Sequence, residues 1–288
     1  MTTQFGRELH AALSLAERAA LAGRPAAAGA AAHQRLERWR SQSPFDREDF
    51  LARRLVQTGL DEARLDEEGF AALLGEPLES LAARVADTPE WVRDLEEAFR
   101  LADPGYSLPF SPEQLRGAET RFLWLAAPLI QQAERRIAQA AAELAACGPA
   151  QLFDPAATVP LLLADLPNQL LWTITRVGVL ELNIARLEER ISGSTPEERF
   201  DSFIELLRRP GEAQAILERY PVLARQLVLR ARNWADASIE LLQRLSADWD
   251  AIRAALGPVE EPGTLVEVLT GAGDRHRGNR TVSLLTFA

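Results

Sequence analysis

The sequence predicts a mainly α protein, a multi-helix array that carries a β-hairpin at its C-terminal end. Apolar side chains recur at the three- and four-residue spacing of amphipathic helices through most of the chain. Hydroxyl residues stand before proline at Thr88, Ser111 and Thr195, which is the pattern of a helix start. The alternation typical of strands occurs only beyond Pro262. These observations predict roughly nine or ten helices followed by two strands.

The N-terminal part is expected to consist of short helices. Residues 1–40 predict helix in two pieces, broken near Pro25. The small-residue stretch 25–32 is expected to be a flexible surface connection. A further helix is expected to open at Pro44, and a short one over residues 61–74.

Two of the hydroxyl caps are completed by a residue three positions later. Gln114 follows Ser111 at this spacing, and Glu198 follows Thr195. In a capping box each side chain accepts a hydrogen bond from the other residue's backbone. Both pairs are therefore predicted to fix the first turn of a helix.

The second half of the chain predicts longer helices. Residues 148–158 are expected to form a loop, a helix is expected over 167–190, and a last helix runs from Pro221 to Gly257. Polar side chains interrupt the apolar run of the 167–190 helix: Asn168, Thr175, Arg176, Glu181, Asn183 and Arg186. Because an unpaired buried polar group costs about 1–3 kcal/mol, we expect a structural network between helices. A groove that supports the terminal loop or contacts a peptide is the alternative.

Composition excludes several classes of function. The 288 residues are 47% hydrophobic and 26% charged, which is typical of a globular protein with a sizeable core. The net charge of −10 argues against a general nucleic-acid binder. No run approaches the roughly 18 apolar residues of a membrane span, and no secretory signal is evident. All 32 basic residues are arginine, so chemistry that requires a lysine cannot be supplied by this chain.

Cysteine, histidine and tryptophan usage predicts structural roles. The single cysteine, Cys147, cannot form an internal disulfide, which fits a cytoplasmic location, and we interpret it as a small packing residue. His10 and His33 are isolated, so no zinc or other metal site is predicted. The six tryptophans are interpreted as core residues.

The loop between the two predicted strands combines more chemistry than any earlier segment. It follows the run Leu265–Thr270 and precedes the run 281–287, and it holds three glycines, one acid, one imidazole and three guanidinium groups: Gly271, Gly273, Gly278, Asp274, His276, Arg275, Arg277 and Arg280. Glycines let a loop turn its N–H groups inward, and guanidinium forks match phosphate oxygens. Asp274 and His276 are two residues apart, so in an extended backbone both side chains point to one side. The loop is suited to a phosphorylated substrate; a solvated hairpin tip is the alternative.

Several segments, in order, resemble one family. They are residues 168–176, 180–188, 194–200, 220–227 and the G-D-x-H loop from Gly273 to His276 with its continuation to Val282. Together they resemble the dehydratase region of class II (LanM-type) lanthipeptide synthetases. The resemblance is close over residues 160–288 and looser over 45–135.

This resemblance implies an activity. The family uses ATP and magnesium to phosphorylate Ser and Thr of a precursor (leader-core) peptide and then eliminates phosphate to leave dehydroalanine and dehydrobutyrine. Its dehydratase is similar to lipid kinases, with an added helical portion. The Asp and His of the G-D-x-H loop act in the elimination step, which implies catalytic roles for Asp274 and His276. Gly271, Gly273, Gly278 and Arg280 are the expected phosphate-binding residues. Independently, a positioned imidazole can exchange protons at neutral pH and contributes on the order of a hundred- to ten-thousandfold.

The chain also departs from the family pattern. The resemblance implies a following strand whose lysine meets ATP, further catalytic residues and a separate zinc domain, and none is in this sequence. Asn279 stands where glycine is expected, although Asn tolerates left-handed backbone. We therefore expect the N-terminal part of a dehydratase, catalytically incomplete alone and working with the remainder of the synthetase. The expected division is a helical extension (1–40), a helical part (41–258) and the start of a kinase-like N-lobe (259–288).

A second hypothesis assigns the chain no catalytic role. In it the chain is a non-catalytic helical module that binds a precursor peptide or a partner protein. Binding that is independent of Asp274 and His276 would favour this alternative.

Overall fold

The computed structural model confirms the mainly α prediction. It describes residues 5–23, 25, 27–44, 49–58, 60, 65–110, 117–148, 152–209, 211–256, 263–274 and 276–288. These residues form twelve α-helices, three short 3-10 helices and one two-stranded hairpin, so the helix count exceeds the expected nine or ten. The chain divides into two compact units. The N-terminal unit comprises residues 5–93 with Glu218–Val222, and the C-terminal unit comprises Asp94–Leu217 with Leu223–Ala288.

The N-terminal unit is built from short helices. They are a 3-10 helix at Arg7–Ala12, α1 (Leu15–Ala20), α2 (Ala30–Ser41), α3 (Phe50–Thr58), α4 (Glu67–Gly75) and α5 (Leu78–Arg84). The core consists of Leu36, Phe50, Leu55, Phe70 and Ala71, all of them buried. Trp39 stacks on Phe70 at 6.1 Å between ring centroids, which closes α2 against α4.

Helix starts in this unit lie later than their sequence signals predict. Helix α2 begins at Ala30, inside the stretch expected to be a connection, and α3 begins at Phe50 rather than at Pro44. Helix α4 begins at Glu67 because the Asp66 side chain accepts a hydrogen bond from the Gly69 N–H at 2.8 Å. Of the helix expected over 61–74, residues 61–64 lie outside the described residues.

The C-terminal unit contains the longer helices. Helix α6 (Glu90–Arg100) leads into it, followed by a 3-10 helix at Ala118–Ala126, α7 (Ala127–Cys147), α8 (Pro155–Leu163), α9 (Leu166–Leu187), α10 (Pro196–Leu207), α11 (Glu212–Arg219) and α12 (Pro221–Leu256). The expected loop over 148–158 is wrong at its end, because the Asp154 side chain caps α8 by accepting from the Ala156 N–H at 3.1 Å. The predicted box at Thr195 is confirmed: its hydroxyl accepts from the Glu198 N–H at 3.1 Å, and the Glu198 carboxylate accepts from the Thr195 N–H at 3.3 Å. The Ser111 box lies outside the described residues.

The network predicted along α9 is wrong for its four exposed residues, and it stays a prediction for Glu181, which is buried. Of its six polar residues, Glu181 is buried, Thr175 is half-buried and the other four are exposed. The Thr175 hydroxyl donates to the Leu171 carbonyl at 2.7 Å and the Asn183 amide to the Val179 carbonyl at 2.9 Å, so both bonds stay within their own helix. The four exposed side chains face solvent because apolar residues occupy the packed side of the helix.

The interpretation of the tryptophans is confirmed for some and wrong for one. Trp91, Trp234 and Trp249 are buried, but Trp172 on α9 is 88% exposed. Cys147 is exposed at the end of α7 and is not a packing residue. An exposed indole of this size is unusual on a helix that otherwise packs well.

The chain ends in the predicted hairpin. Strand β1 (Leu265–Thr270) pairs antiparallel with β2 (Ser283–Phe287), with Val268 opposite Leu285 and an irregularity between Leu265 and Glu267. A lone two-stranded hairpin is marginal in water and needs a covering layer. Helices of the same unit cover its inner face.

Two contacts and the burial of two strand residues attach the hairpin to the rest of the unit. The Leu265 N–H donates to the Leu152 carbonyl, just before α8, at 3.1 Å. Leu265 and Val268 are buried. The Phe287 ring lies 5.1 Å from the Trp249 ring of α12. The open end of the hairpin, opposite the loop, is therefore held against residue 152 and α12. That the hairpin begins a kinase-like lobe stays a prediction, as do the three expected domain boundaries.

None of the helices in the described ranges combines the length and the apolar content that a bilayer crossing requires.

Candidate functional site

The loop between β1 and β2 owes its shape to residues that accept left-handed backbone. Gly271 has φ 82°, Gly278 has φ 69° and Asn279 has φ 67°. Glycine adopts this region without steric cost, and Asn tolerates it better than other side chains do. Asn279 therefore supports the turn at the position where glycine was expected.

Hydrogen bonds close the loop on itself. The Ala272 N–H donates to the Val282 carbonyl at 3.2 Å, and the Thr281 hydroxyl donates to the Gly273 carbonyl at 3.0 Å. At the tip, the His276 N–H donates to the Arg280 carbonyl at 2.8 Å. A β-carbon on Gly273 would lie 3.2 Å from the Val282 side chain, so a larger residue would press on this closure.

Asp274 and His276 are surface residues of this loop. Both residues are exposed, and the His276 backbone is extended, with φ −104° and ψ −168°. Among the described residues, neither side chain has a hydrogen-bond or ion-pair partner. The carboxylate and the imidazole are thus accessible to a ligand, and no described bond joins them. Their predicted roles in elimination stay predictions.

The structure describes only one of the three arginine side chains of the loop. Arg275 lies outside the described residues, and so does the side chain of Arg277. The Arg280 Nε donates to the Oε2 of Glu240 on α12 at 2.7 Å. Arg280 therefore turns towards α12, and its guanidinium is still 55% exposed.

Glu240 is a site residue that sequence reasoning missed. Its second carboxylate oxygen pairs with Arg244, one helical turn further along α12. The hydrogen bond from Arg280 lowers the pKa of the Glu240 carboxyl, and the charge of Arg244 acts in the same direction. The i,i+4 spacing of Glu240 and Arg244 is readable in the sequence. Its connection to Arg280 is not, because it joins residues 40 positions apart.

A cavity of about 120 Å³ opens between α12 and the hairpin, next to Arg280. Leu162, Trp234, Ala237 and Leu241 provide its apolar side. The Trp234 indole is fixed there because its Nε1–H donates to the Leu162 carbonyl at 2.8 Å. The polar side is lined by Ser238, Glu240, Arg244, Thr270, Asn279, Arg280, Thr281 and Ser283.

The donor set does not suit a metal ion. No group of three or more His, Cys, Asp or Glu side chains converges anywhere in the described ranges. The His33 ring is hydrogen-bonded within its own unit, with its Nε2 3.0 Å from the Glu68 carboxylate.

Comparison with known proteins singles out the same region. Residues 220–288 match DUF4135, a domain of unknown function. The matched segment contains α12, both strands, the loop and every cavity-lining residue except Leu162. Among curated proteins, none matches the chain.

Proposed function

We propose that the loop from Gly271 to Arg280 eliminates phosphate from phosphorylated Ser and Thr in a precursor peptide. The family matched by residues 220–288 is associated with lanthipeptide synthetase-like proteins. The G-D-x-H resemblance lies within that matched segment. The observation that carries the proposal is the exposure of an unpaired carboxylate and imidazole, two residues apart, on a closed loop.

The proposed reaction breaks the Cα–H and Cβ–O bonds and forms an N–H bond on the imidazole and a Cα–Cβ π bond. The His276 imidazole accepts the α-proton of the phosphorylated residue, and that electron pair forms the Cα–Cβ double bond. The Cβ–O bond breaks, and its electrons leave with the phosphate. Asp274 stabilises the imidazolium, while Arg280 holds the leaving phosphate by charge-assisted hydrogen bonds. The products are inorganic phosphate and dehydroalanine or dehydrobutyrine.

The phosphorylation that precedes this step is not assigned to this chain. The sequence contains only arginine as its basic side chain apart from histidine, so it offers no lysine for the phosphates of ATP. The described carboxylates form no cluster for magnesium. ATP and magnesium stay an expectation that rests on the resemblance, and the proposed elimination does not use them.

Phosphate release tests the elimination. A synthetic phosphoserine peptide is incubated with the chain in the absence of ATP, and free phosphate and dehydroalanine are measured. We expect Asp274→Asn and His276→Ala to slow release about a hundredfold or more, because a positioned proton transfer is lost. Asp248→Asn, an exposed acid on α12 outside the cavity, is the charge-matched control. The proposal is contradicted if wild type and both variants release phosphate at the same rate, or if none of the three releases phosphate.

An exposed apolar face on α9 favours the second candidate, a helical module that binds a precursor peptide. Trp172 is 88%, Leu187 75%, Leu180 48% and Val179 45% exposed. Such a stripe on a soluble helix commonly marks a binding surface. Fluorescence anisotropy of a labelled precursor peptide separates the candidates. Weaker binding in Trp172→Ala, with unchanged binding in Asp274→Asn and His276→Ala, favours the module.

A further inference from the structure

The cavity beside the loop has two chemically distinct sides. Trp234 and Leu241 on α12 give it an apolar floor, and Trp234 is held in place by its bond to Leu162. Two guanidinium groups stand at its polar side, Arg244 at 69% and Arg280 at 55% side-chain exposure. A ligand that uses both sides needs an anionic group attached to an apolar body.

Glu240 shows where an anionic group is held. One oxygen of its carboxylate accepts from Arg280 at 2.7 Å, and the other pairs with Arg244. A single carboxylate thus bridges two guanidiniums that come from separate elements, a helix and a loop. Bridging by an anion is what allows two like charges to approach each other.

Among the described residues that line the cavity, the charged ones are Glu240, Arg244 and Arg280. A phosphate monoester carries close to two negative charges at neutral pH, so one phosphoryl group can pair with both guanidiniums. The same ligand would meet repulsion from the Glu240 carboxylate.

We propose that this cavity binds a phosphate monoester with an apolar organic part. The phosphoryl group lies between Arg244 and Arg280, and the organic part lies on Trp234 and Leu241. The Glu240 carboxylate occupies the two guanidiniums in the absence of ligand and competes with it. This competition keeps the affinity for inorganic phosphate low.

The inference goes beyond the proposed elimination, because recognition at the cavity stands even if Asp274 and His276 carry out no chemistry. The two are separable by experiment. Both use Arg280, so the elimination is tested by phosphate release in the Asp274 and His276 variants, whereas the cavity is tested by phosphate binding to Glu240→Gln.

Three probes dissect the site by isothermal titration calorimetry: phenyl phosphate, inorganic phosphate and phenol. We expect phenyl phosphate to bind about tenfold more tightly than inorganic phosphate, because it also buries its ring. Phenol is expected to bind more weakly than phenyl phosphate by a similar factor. Equal affinity for phenyl phosphate and inorganic phosphate would show that the apolar side of the cavity does not bind the ring, and it would overturn the proposal.

Substitutions test each half separately. Glu240→Gln is expected to tighten both phosphates about tenfold, because it removes a repelling charge and keeps one acceptor. Arg244→Gln is expected to weaken both by about tenfold, whereas Arg253→Gln, exposed on α12 outside the cavity, serves as the matched control. Ala237→Leu fills the cavity and should remove the advantage of phenyl phosphate.

The Glu240→Gln result decides the proposal even where other variants fold poorly. A variant that binds more tightly than wild type must be folded, so a gain cannot arise from lost structure. Unchanged or weaker phosphate binding by Glu240→Gln contradicts the competing role of this carboxylate and overturns the proposal.

Discussion

Glu76 and Arg84 form the most enclosed ion pair in the described part of the N-terminal unit. Their side chains are 0% and 9% exposed, and the Arg84 Nη1 lies 2.8 Å from the carboxylate. Arg84 also donates to the carbonyls of Arg18 and Leu21, at the end of α1. This single guanidinium therefore pairs with Glu76 between α4 and α5, and its hydrogen bonds to backbone carbonyls tie α5 to the end of α1.

We expect Glu76→Ala to destabilise the protein strongly. Removing one partner of a buried pair leaves the other charge uncompensated and costs about 3–5 kcal/mol. Urea unfolding gives the free energy. Glu205→Ala is the control, because its pair with Arg208 is exposed and contributes on the order of 0–1 kcal/mol. A loss no larger than that of the control would contradict the structural role of Glu76.

His33 predicts a pH dependence of stability. Its pKa is raised, first because the ring donates to the Gly29 carbonyl and then because of Glu68. A raised folded pKa means that the stabilisation is complete below the ordinary value of 6.5 and is lost as pH rises through the higher folded value. We expect the melting temperature of wild type to fall over that window more than that of His33→Gln. His276→Gln, an exposed imidazole, is the control; parallel pH profiles for wild type and His33→Gln would refute the effect.

Site residues that are close together in the chain could be predicted from the sequence. Those that only the fold brings together could not. Asp274, His276 and the glycines are adjacent in the chain, so their combination was visible. Glu240 approaches Arg280 only after α12 and the hairpin pack together, and no spacing rule relates residues 40 apart.

At the scale of elements, the approach of α2 and α4 depends on the absence of a side chain. A β-carbon on Gly75 would lie 2.2 Å from the Ala32 Cβ and 2.9 Å from its Cα. Because a backbone atom is involved, the two helices would have to separate. Gly29, at the start of α2, would meet nothing within 4 Å.

We expect Gly75→Ala to destabilise the N-terminal unit by about 1–3 kcal/mol, as overpacking does. Gly29→Ala is the matched control and should cost no more than about 1 kcal/mol, since only a cap position changes. Thermal unfolding followed by circular dichroism measures both. A smaller effect at Gly75 than at Gly29 would show that the helices adjust without cost.

Periodicity predicted the elements better than it predicted their ends. The strand pattern beyond Pro262 and the Thr195 box correspond closely to the structure. The start of α8 was missed although Asp154-Pro155 is itself a capping signal, because a glycine-containing segment favoured a loop. Trp172 was misplaced because a large aromatic residue on an amphipathic helix normally faces the core.

At the scale of the whole molecule, the excess of acidic groups sets the choice of partners. With a net charge of −10, the loop arginines act against a repulsive background for any long polyanion. We expect no binding of a DNA duplex at about 150 mM salt, measured by fluorescence anisotropy. The titration repeated at lower salt is the control, and measurable binding at about 150 mM salt would contradict this expectation.

The fold class followed from the sequence, but the two units did not. Helical periodicity is local, so it identifies a mainly α chain from any window of the sequence. The N-terminal unit, in contrast, includes Glu218–Val222, a segment more than a hundred residues beyond its other members. Such a return requires contacts between distant residues, which a single sequence does not specify.

The exposure of Trp172 gives the protein an optical label of its own. An indole that is 88% exposed emits at longer wavelength and collides freely with dissolved acrylamide, whereas the buried rings of Trp91, Trp234 and Trp249 are shielded. Trp172 therefore contributes the largest quenchable share of the emission, beside smaller shares from the half-buried Trp39 and Trp124. A macromolecule that covers α9 will reduce that share without chemical modification of the chain.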